Sequence, residues 1–358
     1  MKTLIFHLCY FSIFLTLNPA NICGQILQSG YDRKEYQELL KINQKAHIAR
    51  SDWLQDSSMA DPQFHQLVYR SPTVAFDNRW DLWQHQTKPI VVIAVRGSIQ
   101  TGASFLANLY AAMIPASGSL SLDPDFNFHY QLSDHPQAAV HVGWFVAMAY
   151  LSKDILPKID SCYQAGIKDF VLTGHSQGGG ITFLLTAHLY SLQKQGVLPS
   201  DIRFKTYCSA GPKPGNLFFA YSYENQTRDW AFNVVNPVDW VPDVPFTVQT
   251  VDDFTAVNPF REAHSMIKKQ KFPKSLALKH IYHKLSKPSL RAQKNYQRYL
   301  GKMLAQTVRK NIPDFITPEY YRSNYYVRTG TTITLYPDTN YFQLYKEDPT
   351  KPNIWLHH

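Results

Sequence analysis

Between Phe170 and Thr182 the chain passes from an apolar run into Gly174-His175-Ser176-Gln177-Gly178 and then into a second apolar run. A serine hydroxyl is a weak nucleophile until a neighbouring base takes its proton. It becomes useful where a buried strand turns sharply into a helix and leaves the hydroxyl exposed, and this spacing predicts such a turn. Gly174 and Gly178 are what the turn requires, because a Cβ two residues either side of Ser176 would strike neighbouring backbone. His175 is adjacent in sequence, yet neighbours at such a turn point apart, so it is not the expected base. The chemistry implied is acyl transfer through Ser176. It needs two amide donors for the oxyanion, and then an acid and a histidine in the chain order Ser, Asp or Glu, His.

The elements that must hold these groups are legible around the serine. Ile90-Val91-Val92-Ile93-Ala94-Val95 is a continuous β-branched run, the pattern of a strand buried on both faces of a parallel sheet. It ends in Arg96-Gly97-Ser98, so the amides of Ser98 and Gln177 are the candidate oxyanion donors, with the Ser98 hydroxyl as a third. Asp169 to Thr173 is the strand into the turn. Phe204 to Ser209 and Trp230 to Asn236 are later strands, alternating with helical stretches, and this predicts an α/β fold with a mainly parallel sheet. Asp239 is the first carboxylate after Asn236 and is the candidate acid, ahead of Asp243, Asp252 and Asp253. His141 opens a helix and reads as structural. Thr101 to Ile114 carries no charge and places Phe105, Leu109 and Met113 at helical spacing, the pattern of a core-facing helix.

The rest of the composition bounds the class. With 358 residues, 44% hydrophobic and 14% aromatic, the chain has material for a large core. Lys2 followed by the apolar run Leu4 to Leu17 reads as a signal peptide over residues 1–24, and predicts a secreted, periplasmic or cell-envelope protein. Its removal takes Cys9 and Cys23 with it and leaves Cys162 and Cys208, expected as free thiols. The formal net charge of +9 has one source: residues 261–310 hold fourteen Lys or Arg against the single carboxylate Glu262. Tyr296, Leu300, Met303, Leu304 and Val308 give that stretch helical spacing. Given the leader, its expected partner is an anionic membrane or envelope surface and not nucleic acid. No phosphate-cradling loop is present and the histidines lack ligand spacing, so neither metal nor organic cofactor is expected.

Five blocks together resemble a known family: Arg96-Gly97-Ser98 with Phe105-Leu106-Ala107-Asn108-Leu109, Val140-His141-Val142-Gly143-Trp144, Thr173-Gly174-His175-Ser176, Gly211-Pro212-Lys213 with Gly215-Asn216, and Asp239-Trp240-Val241-Pro242. In this order they are similar to the class 3 (fungal-type) lipases of the α/β-hydrolase superfamily, over a little under half the chain. The resemblance implies a carboxylic ester hydrolase acting on lipid esters, with Ser176 as nucleophile, Ser98 in the oxyanion loop and Asp239 as the acid. It also places a lid at 101–114. Tyr325 to Tyr336 resembles the strand that precedes the family's histidine, which leaves His357 and His358 as candidate bases and sets aside His264, His280 and His283. The family continues for a helix beyond its histidine, so the chain is expected to be shortened there.

Gln177 stands where the family usually has leucine, and Gly180 where it often has alanine. The resemblance divides the chain into the leader, an N-terminal helix with the first strands (25–89), a catalytic core (90–255), a basic helical insertion (256–323), and the last strand with its histidine loop (324–358). Two other readings stay open: a lipid- or envelope-binding relative without an ordered base, and an amidase or peptidase using the same triad.

Overall fold

The structure, a computed structural model, describes residues 26–47, 60–350 and 352–358. The predicted leader, with Cys9 and Cys23, lies outside the described residues. Ahead of the β-branched run come helix α1 (Arg33–His47) and strands β1 (His65–Arg70) and β2 (Trp80–His85); the run itself is β3 (Ile90–Val95). Every residue of β3 is buried. Side chains alternate across a strand, so Val91, Ile93 and Val95 enter one core while Ile90, Val92 and Ala94 enter another on the opposite face.

Beyond β3 lie helix α2 (Gly102–Leu109), strand β4 (Met113–Pro115), the hairpin β5 (Ser117–Asp123) and β6 (Phe126–Gln131), and β7 (Ala139–His141). Helix α3 (Val142–Gln164) leads to β8 (Asp169–His175), and α4 (Gln177–Lys194) to β9 (Arg203–Ser209). Then come β10 (Gly215–Asn216), α5 (Leu217–Gln226) and β11 (Ala231–Val235). The main sheet has the order β1-β2-β3-β8-β9-β11-β13, where β13 is Thr331–Thr334. From β3 onward all neighbours pair in parallel, and β2 alone is reversed, pairing antiparallel with both β1 and β3. Helix α1 covers one face, packing through Tyr36, Leu39 and Ile42, while α3 and α4 cover the other. This is the mainly parallel α/β-hydrolase sheet with helices on both faces that the sequence predicts.

Between β11 and β13 the basic stretch forms α6 (Ala263–Lys268), α7 (Lys274–Gln297), a π-helical turn (Arg298–Met303) and α8 (Leu304–Asn311), followed by β12 (Tyr326–Val327). Helix α9 (Thr339–Leu344) follows β13, with the Asp338 side chain accepting from the Tyr341 amide at its N-terminus. Two expectations are corrected. The apolar segment 101–114 is not one helix: α2 ends at Leu109, and Met113–Pro115 pairs with β7 as a strand. The Gly143 amide takes the Tyr110 carbonyl and the Ala112 amide takes that of Leu300, so backbone partners outside the segment unwind what side-chain spacing alone would continue. The stretch 325–336 is likewise two strands in two sheets. It breaks at Gly330, whose φ of +81° turns the chain from β12, beside β10, to β13, beside β11. Cys162 is half-buried, Cys208 is buried, and both are free.

Candidate active site

Ser176 sits between β8 and α4 with φ 59° and ψ −129°, a conformation that L-residues seldom adopt and that costs on the order of 1–3 kcal/mol. Two things hold it there. The Ser176 amide donates to the Ser209 carbonyl at 2.9 Å, and the flanking glycines let backbones close around it. A Cβ on Gly174 would lie 2.4 Å from the Gly178 carbonyl, and one on Gly178 would lie 2.3 Å from that of Val95. The glycine spacing is therefore a steric requirement of the elbow. Ser176 opens on a cavity of about 300 Å³ with almost wholly apolar walls.

Ser98 and Gln177 both line this cavity, and a residue given no role from sequence joins them. The Asn108 side chain donates to Ser98 Oγ at 3.0 Å, and its Oδ1 accepts from Gln177 Nε2 at 2.8 Å and from Trp144 Nε1 at 2.9 Å. Gln177 Nε2 donates also to the Ser104 carbonyl at 2.9 Å. Thus the polar side chain after Ser176 is tied to α2. His141 Nδ1 accepts the Trp144 amide at 3.2 Å, so Nε2 carries the hydrogen that meets the Asn108 carbonyl at 3.2 Å. Complete burial holds that imidazole neutral, its pKa pushed down to about 3. His141 is structural, as its helix-opening position suggests.

Asp239 is buried just past β11, and its two oxygens are used differently. Oδ1 accepts the Val241 amide at 2.9 Å, and Oδ2 lies 2.9 Å from His358 Nδ1. A carboxylate only accepts, so Nδ1 carries the proton of that bond and Nε2 keeps its lone pair. The rival acids are engaged elsewhere: Asp243 beside Arg328, Asp252 beside Arg322, and Asp253 on Thr250. His357 is engaged elsewhere, with Nδ1 3.1 Å from the Tyr341 hydroxyl and Nε2 3.6 Å from Glu347. The final residues are tied down where Trp240 Nε1 donates to the Ile354 carbonyl at 2.7 Å and Asn236 Nδ2 to that of His357 at 3.3 Å. Among the described residues Ser176 and His358 share no direct hydrogen bond.

A second pair of imidazoles flanks His358. The His175 ring lies 4.5 Å from it, centroid to centroid, with Nδ1 3.1 Å from Ser209 Oγ. Desolvation, and then the charge of His358 and His47, hold His175 down to about 3. His47, at the end of α1, is pushed down to about 4 by desolvation and then by Arg96, His358 and Arg79. A lone histidine closing an amphipathic helix carries no sequence signal of this placement. The outer cavity walls were also beyond the sequence reading: Tyr296 and Leu300 come from the basic stretch, and Trp355 from the last residues. Among the described residues no group of three His, Cys, Asp or Glu side chains is placed to hold a metal ion.

Residues 92–249 match the family model described as lipase (class 3). Similar solved structures include lipase II from Rhizopus niveus, 19% identical, covering 59% of this chain and 74% of that one with a TM-score of 0.44. Rhizomucor miehei triacylglyceride lipase is 17% identical, covering 61% of this chain and 77% of its own, at a TM-score of 0.43. A mutant form of MDLA from Penicillium cyclopium is 20% identical, covering 60% and 76%, at 0.43. Comparison with curated protein sequences finds no match. The matched segment begins inside β3 and runs past Asp239, so it takes in Ser98, the turn at Ser176 and Asp239; over residues 92–249 the chain is similar to the class 3 lipases, which are carboxylic ester hydrolases, and its sheet is that of the α/β-hydrolase fold.

Proposed function

We propose that this chain is an exported lipase that hydrolyses lipid esters through an acyl-enzyme on Ser176. His358 Nε2 takes the Ser176 proton as Oγ attacks the ester carbonyl carbon. Asp239 holds the imidazole in the tautomer that makes this transfer possible and stabilises the imidazolium that results. The amides of Ser98 and Gln177 receive the oxyanion, each donor worth roughly 3–4 kcal/mol of barrier. As the tetrahedral species collapses, the alcohol leaves with the proton from His358. Water then repeats the sequence on the acyl-enzyme and releases the acid.

The observation that carries this reading is the 2.9 Å pairing of His358 Nδ1 with the buried Asp239 carboxylate. It fixes a free Nε2 on a histidine in the chain position the mechanism demands. His357, engaged by Tyr341, is assigned a positioning role for the last residues. The apolar walls around Ser176 favour the acyl chain of an ester over a peptide. Export rests on the 1–24 leader, and a secreted protein beginning near Gln25 is its check. A fluorophosphonate probe tests the site: it is expected to label Ser176 and to fail on Ser176→Ala, with hydrolysis of p-nitrophenyl esters lost in parallel. Undiminished hydrolysis by Ser176→Ala would sink the assignment.

A further inference from the structure

Helix α7 carries a face that the fold leaves bare. Lys279, Lys284, Lys287 and Arg291 line one open groove of about 710 Å³ along it, with His280 and His283 between them. None of the fourteen Lys and Arg of residues 261–310 has a carboxylate within 4.0 Å among the described residues. So many cations left unneutralised repel one another, and their partner must bring negative charge in quantity.

The same stretch exposes large apolar side chains. Phe272 is 81% exposed, Leu285 73%, Leu276 60% and Ile281 53%. A polyanion in water, whether nucleic acid or acidic polysaccharide, would answer the lysines and leave these four in solvent. A bilayer surface with anionic headgroups answers both, since phosphates meet the ammonium groups while apolar residues enter the acyl boundary. Lysine suits this role because its stem follows the apolar surface while the charge stays in the wet layer.

Placement adds a third argument. The last turn of α7 brings Tyr296, and the π-helical turn after it brings Leu300, to the wall of the cavity above Ser176. The rim of that cavity is itself exposed and apolar, with Phe246 and Leu109 in solvent. At 1.5 Å per residue, Leu276 lies within about 30 Å of Tyr296 along the helix. One element therefore carries the cationic groove along its length and a wall of the cavity above Ser176 at its C-terminal end.

We propose that α7, with Phe272 ahead of it, docks the protein on an anionic lipid bilayer and presents the mouth of the Ser176 cavity to that surface. The docking itself stands on charge and exposure, whereas its purpose rests on the lipase reading. The experiment is therefore run on the Ser176→Ala protein, in which binding is read without turnover. It should sediment with phosphatidylcholine vesicles doped with phosphatidylglycerol, not with phosphatidylcholine alone, and less well as salt rises. Each cation near an anionic surface is worth roughly fivefold in partition. Replacing four of them (Lys279→Gln, Lys284→Gln, Lys287→Gln, Arg291→Gln) should thus weaken binding by on the order of several hundredfold.

With Ser176 restored, the fourfold variant should keep its melting temperature and its rate on a soluble short-chain ester. The pair Phe272→Ser and Leu285→Ser should weaken vesicle binding while leaving retention on heparin intact. Binding that ignores phosphatidylglycerol, or vesicle binding unchanged in the serine pair, overturns the proposal. Capture of RNA or heparin by a protein that leaves anionic vesicles alone overturns it too, in favour of a soluble polyanion. Vesicle binding by a protein that hydrolyses no soluble ester would remove the lipase reading and leave the docking standing.

Discussion

The Gln177 side-chain amide donates to Asn108 Oδ1 at 2.8 Å, so the residue after Ser176 is tied to helix α2 from a position 69 residues away in sequence. Its Oε1 is buried with no partner, which means that the side chain is kept for its donor end alone. Gln177→Leu would relieve the unpaired oxygen and lose the bonds to Asn108 and to the Ser104 carbonyl. Each such bond is worth about 1 kcal/mol net. The Gln177 backbone amide is untouched, so ester hydrolysis should persist while α2 loosens. Amide exchange over residues 102–109 should accelerate, with α4 unchanged. Unaltered protection of α2 would show that its packing alone holds it.

The His358–Asp239 bond makes a sharper demand. Asn at 239 can still accept the Val241 amide through its carbonyl oxygen, so the fold around it should survive. Its amide nitrogen would face His358 Nδ1 as a donor and favour the tautomer with the proton on Nε2, the wrong one for a base. Asp239→Asn should therefore lower kcat by about 10⁴ with little change in melting temperature. His358→Ala should lose activity on the same scale, whereas His357→Ala, which gives up contacts to Tyr341 and Glu347, should lose far less. Equal losses at 357 and 358 would refute the choice between them.

These assignments show where the sequence was readable. Ser176, Gly174 and Gly178 were legible because the elbow is local and sterically strict, so residue type and spacing carry the whole requirement. Strand β3 was legible because burial on both faces leaves no room for a polar residue. Asn108 escaped notice as a hub because its four partners lie in three distant stretches of the chain, Ser98, His141 with Trp144, and Gln177, and no local pattern links those stretches. His47 was missed for the same reason. The 101–114 segment misled because apolar helical spacing is also compatible with a short helix followed by an edge strand. Only the partners of Tyr110 and Ala112 decide between the two.

Acid should destabilise the protein over a definite window. Burial keeps four imidazoles neutral, pushing His47 and His188 down to about 4 and His141 and His175 to about 3, with Arg96 and Arg79 adding to the effect at His47. In the unfolded chain each titrates near 6.5, so between that value and its folded pKa the unfolded state binds the extra proton. Stability present above pH 6.5 is then lost as pH falls toward 4, each histidine adding a slope of up to about 1.4 kcal/mol per pH unit. His188 isolates the effect, since it lies against Phe128, away from Ser176, and its Nδ1 is buried without a partner. Urea midpoints measured from pH 7.5 to 4.5 should fall less steeply in His188→Leu. An identical slope in the variant would contradict the buried neutral assignment.

Chain-length preference should respond to Leu300, which the basic stretch contributes to the cavity wall. Its carbonyl accepts the Ala112 amide at 3.1 Å through backbone alone, so a new side chain leaves that anchor in place. Leu300→Trp would extend an indole into a cavity of about 300 Å³ and take space from the distal part of an acyl chain. Excluding about three methylenes at roughly 0.8 kcal/mol each costs some 2.4 kcal/mol, or roughly fiftyfold in kcat/KM. The loss should appear with long-chain p-nitrophenyl esters and be absent with the acetate, whose acyl group does not reach the indole. A uniform loss across chain lengths would mean that Leu300 supports the elbow instead of the acyl chain, and a uniform lack of effect that the chain runs along another wall.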